Sequence, residues 1–230
     1  MPRWQAVVLD LDDTLYPEAA YVRSGFRAVA ARAEETLGVP AAEVEAQLLA
    51  LFEAGVRGDT FDRWLAARGL GGDVAVGDLV AAYRGHPPDI DPFPEAEPLL
   101  RRLRADGYAL GVLTDGDPTV QGGKLDALGL RDAVDAVVVT GELGPDAGKP
   151  SPRGYEEILR RLGHASPGEA VYVSDNPAKD FVGARRAGMR SIRVRPVGGI
   201  YAGLEPETPE HAPDAEVAGL DEVERALDEL

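Results

Sequence analysis

Ala6-Val7-Val8-Leu9-Asp10-Leu11-Asp12-Asp13-Thr14-Leu15-Tyr16 frames the reading of the whole chain. Four consecutive apolar residues without polar alternation predict a short strand covered on both faces, as in a parallel sheet. The strand runs straight into three acids. From about 17 to 83 the pattern changes to Ala-rich helical stretches at 21–37, 41–54, 60–68 and 76–83, broken at 38–40, 55–59 and 69–73 by Gly, Pro and Asp. A Pro-rich segment, 85–94, ends this insertion, since closely spaced prolines cannot continue a helix. Beyond it Ala96, Leu99, Leu100 and Leu103 mark an amphipathic helix, and strands are predicted at 108–114, 134–140, 170–174 and 191–194 with helices between them. This alternation predicts an α/β fold: a doubly wound, mainly parallel sheet formed by 1–16 and 91–230, with an inserted α-helical cap at 17–90.

Composition excludes several functions. The 230 residues carry 24 Lys and Arg against 40 Asp and Glu, a formal charge of −16, and no cysteine. The acidic balance argues against nucleic-acid polymers and anionic membranes, which attract basic surfaces. Without cysteine there are no disulfides, thiolate nucleophiles or Cys-zinc sites. No apolar run approaches membrane-spanning length, and the first ten residues lack a signal peptide's apolar region, so a cytoplasmic location is expected. Residues 203–230 hold ten acids and one base, a net −9, and read as a Pro-rich loop followed by a terminal helix packed through Leu220, Val223 and Leu227.

In open parallel sheets ligands bind beyond the carboxyl ends of the strands. There the sequence offers Asp10, Asp12, Asp13 and Thr14, then Thr114, Asp115 and Gly116, then Gly148-Lys149-Pro150, then Asp175, Asn176 and Asp180. Taken singly, Asp13, Asp115 and Asp117 read as turn or cap residues, and Asp175-Asn176-Pro177 as a helix start with Pro in the first turn. Together, several carboxylates cannot all stay ionised without a cation, and a hard divalent ion with oxygen ligands such as Mg²⁺ meets that need. One carboxylate can act as nucleophile while a second, two residues on, serves as general acid and base. Thr114 and the backbone N–H groups around Gly116 suit phosphate oxygens, and Lys149 supplies a point charge. Arginine outnumbers lysine 21 to 3, yet Lys124, Lys149 and Lys179 all follow strands of this half.

These residues resemble the haloacid dehalogenase-like hydrolases, in the subfamily with a helical cap between the first and second motifs. Asp10-Leu11-Asp12-Asp13-Thr14 is similar to the first motif, Leu113-Thr114-Asp115-Gly116 to the second, Lys149-Pro150 to the third and Ser174-Asp175-Asn176-Pro177-Ala178-Lys179-Asp180 to the fourth. The resemblance implies Asp10 as nucleophile, Asp12 as general acid and base, Thr114 and Lys149 as further catalytic residues, and Thr114, Asp115, Gly116 and Lys149 around the substrate phosphate. It implies Mg²⁺ held by Asp10, the backbone carbonyl of Asp12 and Asp175, with Asp180 in support. Asp115 stands where many members have Asn, and it is expected to point away or to pair with a cation such as Lys124. Ser174 stands where many have Gly. Asp12 favours phosphate esters over haloacids, because the dehalogenase branch lacks that acid.

The expected function is therefore a Mg²⁺-dependent phosphatase of a small phosphorylated metabolite. A phosphomutase or other phosphotransferase of the same fold is one alternative, and a non-catalytic phosphate-binding regulatory protein another. In the cap, Phe26, Phe52, Phe61, Trp64 and Tyr83 read as core; Arg23, Arg27 and Arg57 read equally as exposed face or substrate contacts. His86, His164 and His211 lie outside every motif.

Overall fold

The structure is a computed structural model that describes residues 4–70, 73–163 and 166–230. The opening strand, β1 (Ala6–Leu9), is buried at every position. Four strands parallel to it form a sheet with it: β2 (Ala109–Thr114), β3 (Ala136–Val139), β4 (Ala170–Ser174) and β5 (Arg190–Val194). A sixth, β6 (Ala215–Val217), pairs parallel to β5. Its three residues lie in a stretch that reads as loop, too short and too flanked by Pro and acids to signal a strand. The order is β3-β2-β1-β4-β5-β6, so the chain reverses direction of growth between β1 and β4. That is the switch point where open α/β sheets leave a crevice.

The chain divides into two compact units, one running to Glu18 and from Asp91 to Leu230, the other Ala19–Ile90. The second is helical: α1 (Glu18–Leu37), which begins at the last residue of the first unit, then α2 (Ala41–Glu53), α3 (Thr60–Ala67) and α4 (Asp73–Gly85). Val22, Phe26, Val29, Val44, Leu48, Trp64, Leu65 and Leu79 form its core. Phe52, Phe61 and Tyr83 are partly buried against that core, with Phe26 edge-on to Phe52 and Phe61. Among the arginines, Arg27 pairs with Asp89, and Arg57 donates to the carbonyls of Phe52 and Val56.

In the sheet-bearing unit follow α5 (Ala96–Ala105), α6 (Pro118–Ala127), α7 (Arg153–Arg161), α8 (Asp180–Arg186) and α9 (Val223–Glu229). Ala6 and Val8 share one face with Leu113, Val138 and Tyr172, packed against Tyr155, Ile158 and Leu159 of α7 and Ala184 of α8. Gly111 in β2 lets α7 approach, since a Cβ there would lie 2.9 Å from Ile158. The terminal helix packs as expected: Leu220, Val223 and Leu227 are buried and Trp4 Nε1 donates to the Leu227 carbonyl at 2.9 Å. Most acids of this end are exposed, and several of them are paired with arginines. Glu205 and Glu216 meet Arg195, Asp214 meets Arg190, and Glu224 meets Arg102. Among the described residues no helix is long and apolar enough to cross a membrane.

Candidate active site

Strand register sets the site. Leu9 aligns with Val112 of β2 and Val173 of β4, so Asp10, Thr114 and Asp175 emerge at one edge. Lys149 reaches the same place from the loop after β3. Its Nζ lies 2.8 Å from Asp10 Oδ1 and 2.8 Å from Asp180 Oδ1, and donates to Tyr172 Oη at 2.9 Å. Its side chain is only 1 % exposed. Burial alone would lower the pKa of such an ammonium, but Asp10 and Asp180 hold it well above its ordinary value. Burial raises Asp10 to about 6, with Asp180 adding to the rise and Lys149 opposing it. Ser174 Oγ donates to Asp180 Oδ2 at 2.6 Å, so Ser174 does more than fill space.

Asp10, Asp175 and Asp180 each offer a carboxylate oxygen within 4.8 Å of the others. Asp175 Oδ2 is buried without a hydrogen-bond partner. Burial, then the charges of Asp10 and Asp180, push Asp175 up to about 9. Three buried carboxylates against one ammonium leave negative charge uncompensated, and all the donors are hard oxygens. That donor set fits a hard divalent cation, which accepts carboxylates and water together.

Asp12 turns away from this trio. Its Oδ1 accepts from Lys124 Nζ at 2.6 Å and from the Tyr16 hydroxyl, and its Oδ2 from Gln121 Nε2 at 2.9 Å. Burial would raise its pKa, but the charge of Lys124 and the three donors outweigh burial and bring it below the usual carboxylate range. Asp115 does pair with a cation, as expected, but the cation is Lys179, since Lys124 is taken by Asp12. Asp115 Oδ2 pairs with Lys179 at 2.7 Å, and its Oδ1 accepts from the Thr140 hydroxyl and the Lys149 backbone N–H. Lys124 sits on α6, whose face is turned to Asp12, whereas Lys179 arrives from the loop that carries Asp175. All three lysines of the chain bring their ammonium groups here.

Asp10, Asp12, Thr114, Asp115 and Asp175 line a polar cavity of about 260 Å³, together with Gln121, Lys124 and Lys179. Glu18 lines it too, and burial followed by the charge of Asp12 pushes its carboxyl up to about 8. Gly116 has φ +130°, a backbone that favours glycine. Asp117 caps α6 as a turn residue should, accepting from the N–H groups of Thr119 and Val120. The helix start expected at Pro177 is instead a turn, with Asn176 accepting from Ala178 N–H, and α8 begins at Asp180. Asp13 sits in the left-handed region at φ +50° and accepts from the N–H groups of Glu18 and Ile200.

The sequence assigns no role to Gln121, Tyr16, Glu18 or Arg193. Arg193, fully buried on β5, donates to the carbonyls of Asp175, Tyr201 and Leu204, tying the segment after β5 to the site. A signal existed for Gln121, three residues before Lys124 and so on the same helical face. For Arg193 there was none, since an Arg alternating with apolar residues reads as an exposed strand position.

A doubly wound parallel sheet with carboxylates and a buried lysine at its switch point, interrupted after the first strand by a helical unit, defines a hydrolase class built on carboxylate chemistry. The chain belongs to the haloacid dehalogenase-like hydrolases, whose family model matches residues 4–188. It is 35 % identical over 227 residues to a glyceraldehyde 3-phosphate phosphatase of Methanopyrus kandleri, covering 93 % of this chain and 92 % of that protein. It is 44 % identical over 131 residues to a phosphoserine phosphatase of Thermus thermophilus, covering 57 % of this chain and 49 % of that protein. The crystal structure of a phosphatase of this family from Thermococcus onnurineus superposes with a TM-score of 0.65 at 27 % identity, covering 97 % of each chain.

Proposed function

We propose that the protein is a Mg²⁺-dependent phosphatase that hydrolyses a small phosphate monoester through a phosphorylated Asp10. The observation that carries the reading is the opposed setting of two acids two residues apart in one small polar cavity. Asp10 is gripped by Lys149 among the carboxylates, while Asp12 is turned to the other side. Relatives named as phosphatases of glyceraldehyde 3-phosphate and phosphoserine support a small substrate.

In the first half-reaction an Asp10 carboxylate oxygen bonds to phosphorus as the bond to the leaving oxygen breaks. The electron pair goes to that oxygen, which takes a proton through Asp12; Asp12 rests ionised, so that proton enters on the monoanionic phosphate ester and Asp12 relays it. In the second, water attacks phosphorus and yields its proton to Asp12; the phosphorus–Asp10 bond breaks, restoring the carboxylate and freeing phosphate. Thr114 donates to the transferring group, and Lys149 keeps Asp10 ionised and offsets charge. Asp10, the Asp12 carbonyl, Asp175 and Asp180 are the residues that would hold Mg²⁺, which when bound neutralises the carboxylates and the phosphoryl oxygens.

The test is release of inorganic phosphate from a panel of aryl and metabolite monoesters with Mg²⁺. Turnover is expected for the native chain and none for Asp10→Asn or after chelation. Undiminished release by Asp10→Asn would refute the mechanism.

A further inference from the structure

Gln121 and Lys124 lie three residues apart on one face of α6, and both are buried, at 2 % and 5 % exposure. Burying an amide and an ammonium costs free energy unless both find partners. Their polar ends converge on Asp12, one on each carboxylate oxygen, with the Tyr16 hydroxyl adding a third donor. Gln121 Nε2 has two hydrogens, and the second goes to Thr114 Oγ1 at 2.5 Å. Thr114 Oγ1 therefore accepts from Gln121, which leaves its own hydrogen to donate into the cavity. The loop after β2 leaves room for this arrangement: a Cβ on Gly116 would lie 3.3 Å from Gln121 Cγ.

We propose that Gln121 and Lys124 are positioning residues for proton transfer to the leaving group, Gln121 by yoking Asp12 to Thr114 and Lys124 by stabilising the Asp12 carboxylate as it forms. The inference rests on the phosphatase reading above and goes beyond it, since neither residue belongs to a motif. When the bond between phosphorus and the leaving oxygen breaks, the proton that Asp12 has taken from the monoanionic phosphate ester moves to that oxygen, and Asp12 returns to the carboxylate it is at rest. Lys124 Nζ, Gln121 Nε2 and the Tyr16 hydroxyl are already aimed at the two oxygens on which that charge appears, so little reorganisation is needed. In the second half-reaction the same grip orients the carboxylate toward water.

The dependence on this grip follows the leaving group. An alkoxide is too basic to leave unprotonated, whereas p-nitrophenolate leaves with little help. The experiment compares p-nitrophenyl phosphate with the best alkyl monoester of the panel, in the presence of Mg²⁺, for the native chain, Gln121→Leu, Lys124→Met and Lys124→Arg. For Gln121→Leu and Lys124→Met, kcat on the alkyl ester is expected to fall about 100-fold, the scale of general acid catalysis. On the aryl ester it should fall only a few-fold. Lys124→Arg, which keeps the charge, should recover most of the alkyl rate. The ratio of the two rates does not depend on the folded fraction, so partial unfolding cannot imitate the result. Equal losses on both esters, or no loss, would overturn the proposal and leave the phosphatase reading intact. A native chain that cleaves the aryl ester but no alkyl monoester would also overturn it. One that cleaves neither would overturn the phosphatase reading itself.

Discussion

Lys149 is where charge, burial and chemistry meet in a single side chain. It lies between Asp10 and Asp180, and removing it leaves two carboxylates buried without a cation. Lys149→Met is therefore expected to cost about 3–5 kcal/mol in metal-free protein, the range for breaking a buried pair from one side, measured by urea denaturation. Asp10→Asn acts in the opposite sense. Because Asp10 is raised to about 6, its charged form at neutral pH is already disfavoured by the fold. Neutralising it should leave the denaturation midpoint unchanged or slightly higher while phosphate release is lost; a marked fall in stability would show that its charge is structural. The positions of Asp10, Thr114, Lys149 and Asp175 were legible because Thr114 ends a strand and the others follow one, and parallel register turns sequence order into proximity. The partner of Asp115 was not legible. It depends on which way a side chain leaves its loop, and that is decided by tertiary packing of Lys124 against Asp12.

Elements show the same division. Long periodic segments and apolar runs declared themselves, so β1, β4 and the four helices of the insertion lie close to their expected bounds. The strand β6 escaped because three residues carry no period, and Pro177 falls ahead of α8 rather than in its first turn because Asn176 makes a turn of its own. The helix α6 links element to site, since its first turn is held by Asp117 and its next two carry Gln121 and Lys124. Asp117→Ala should destabilise the protein by about 1 kcal/mol through two unsatisfied N–H groups, and Asp117→Ser should restore most of it, as read by chemical denaturation. On α7, Glu157 accepts from Arg160 and Arg161, and these hydrogen bonds lower its carboxyl to about 2. A carboxyl depressed below its unfolded value of 4.5 stabilises the fold above that pH, and the contribution disappears as pH falls toward 2. The thermal midpoint of Glu157→Gln should thus lie slightly below that of the native chain at pH 7 and coincide with it near pH 2. The gap should also shrink with salt, because the group is at the surface.

At the scale of the whole molecule, the formal charge of −16 hides two different populations of acids. Those after residue 203 are largely at the surface, and several are paired with arginines of the sheet-bearing unit. Asp10, Asp175 and Asp180 are buried with one lysine among them, and among the described residues this is the cluster whose carboxylate oxygens lie close enough together to hold a divalent cation. The two populations predict different responses to salt. Any electrolyte screens the surface acids, so NaCl and MgCl₂ at equal ionic strength should relieve their repulsion about equally. A site that binds Mg²⁺ only when folded adds to this by mass action, about 2.7 kcal/mol at a hundredfold excess over the dissociation constant. In a chain of this size that corresponds to roughly 5–10 °C in the thermal midpoint of the sheet-bearing unit. The native chain should therefore show that extra rise with MgCl₂ over NaCl, measured by calorimetry. Asp175→Asn, which removes the carboxylate whose Oδ2 has no internal partner, should show only the shared screening effect. An extra rise that survives in Asp175→Asn would place the cation elsewhere, and the absence of any rise in the native chain would remove Mg²⁺ from the site altogether.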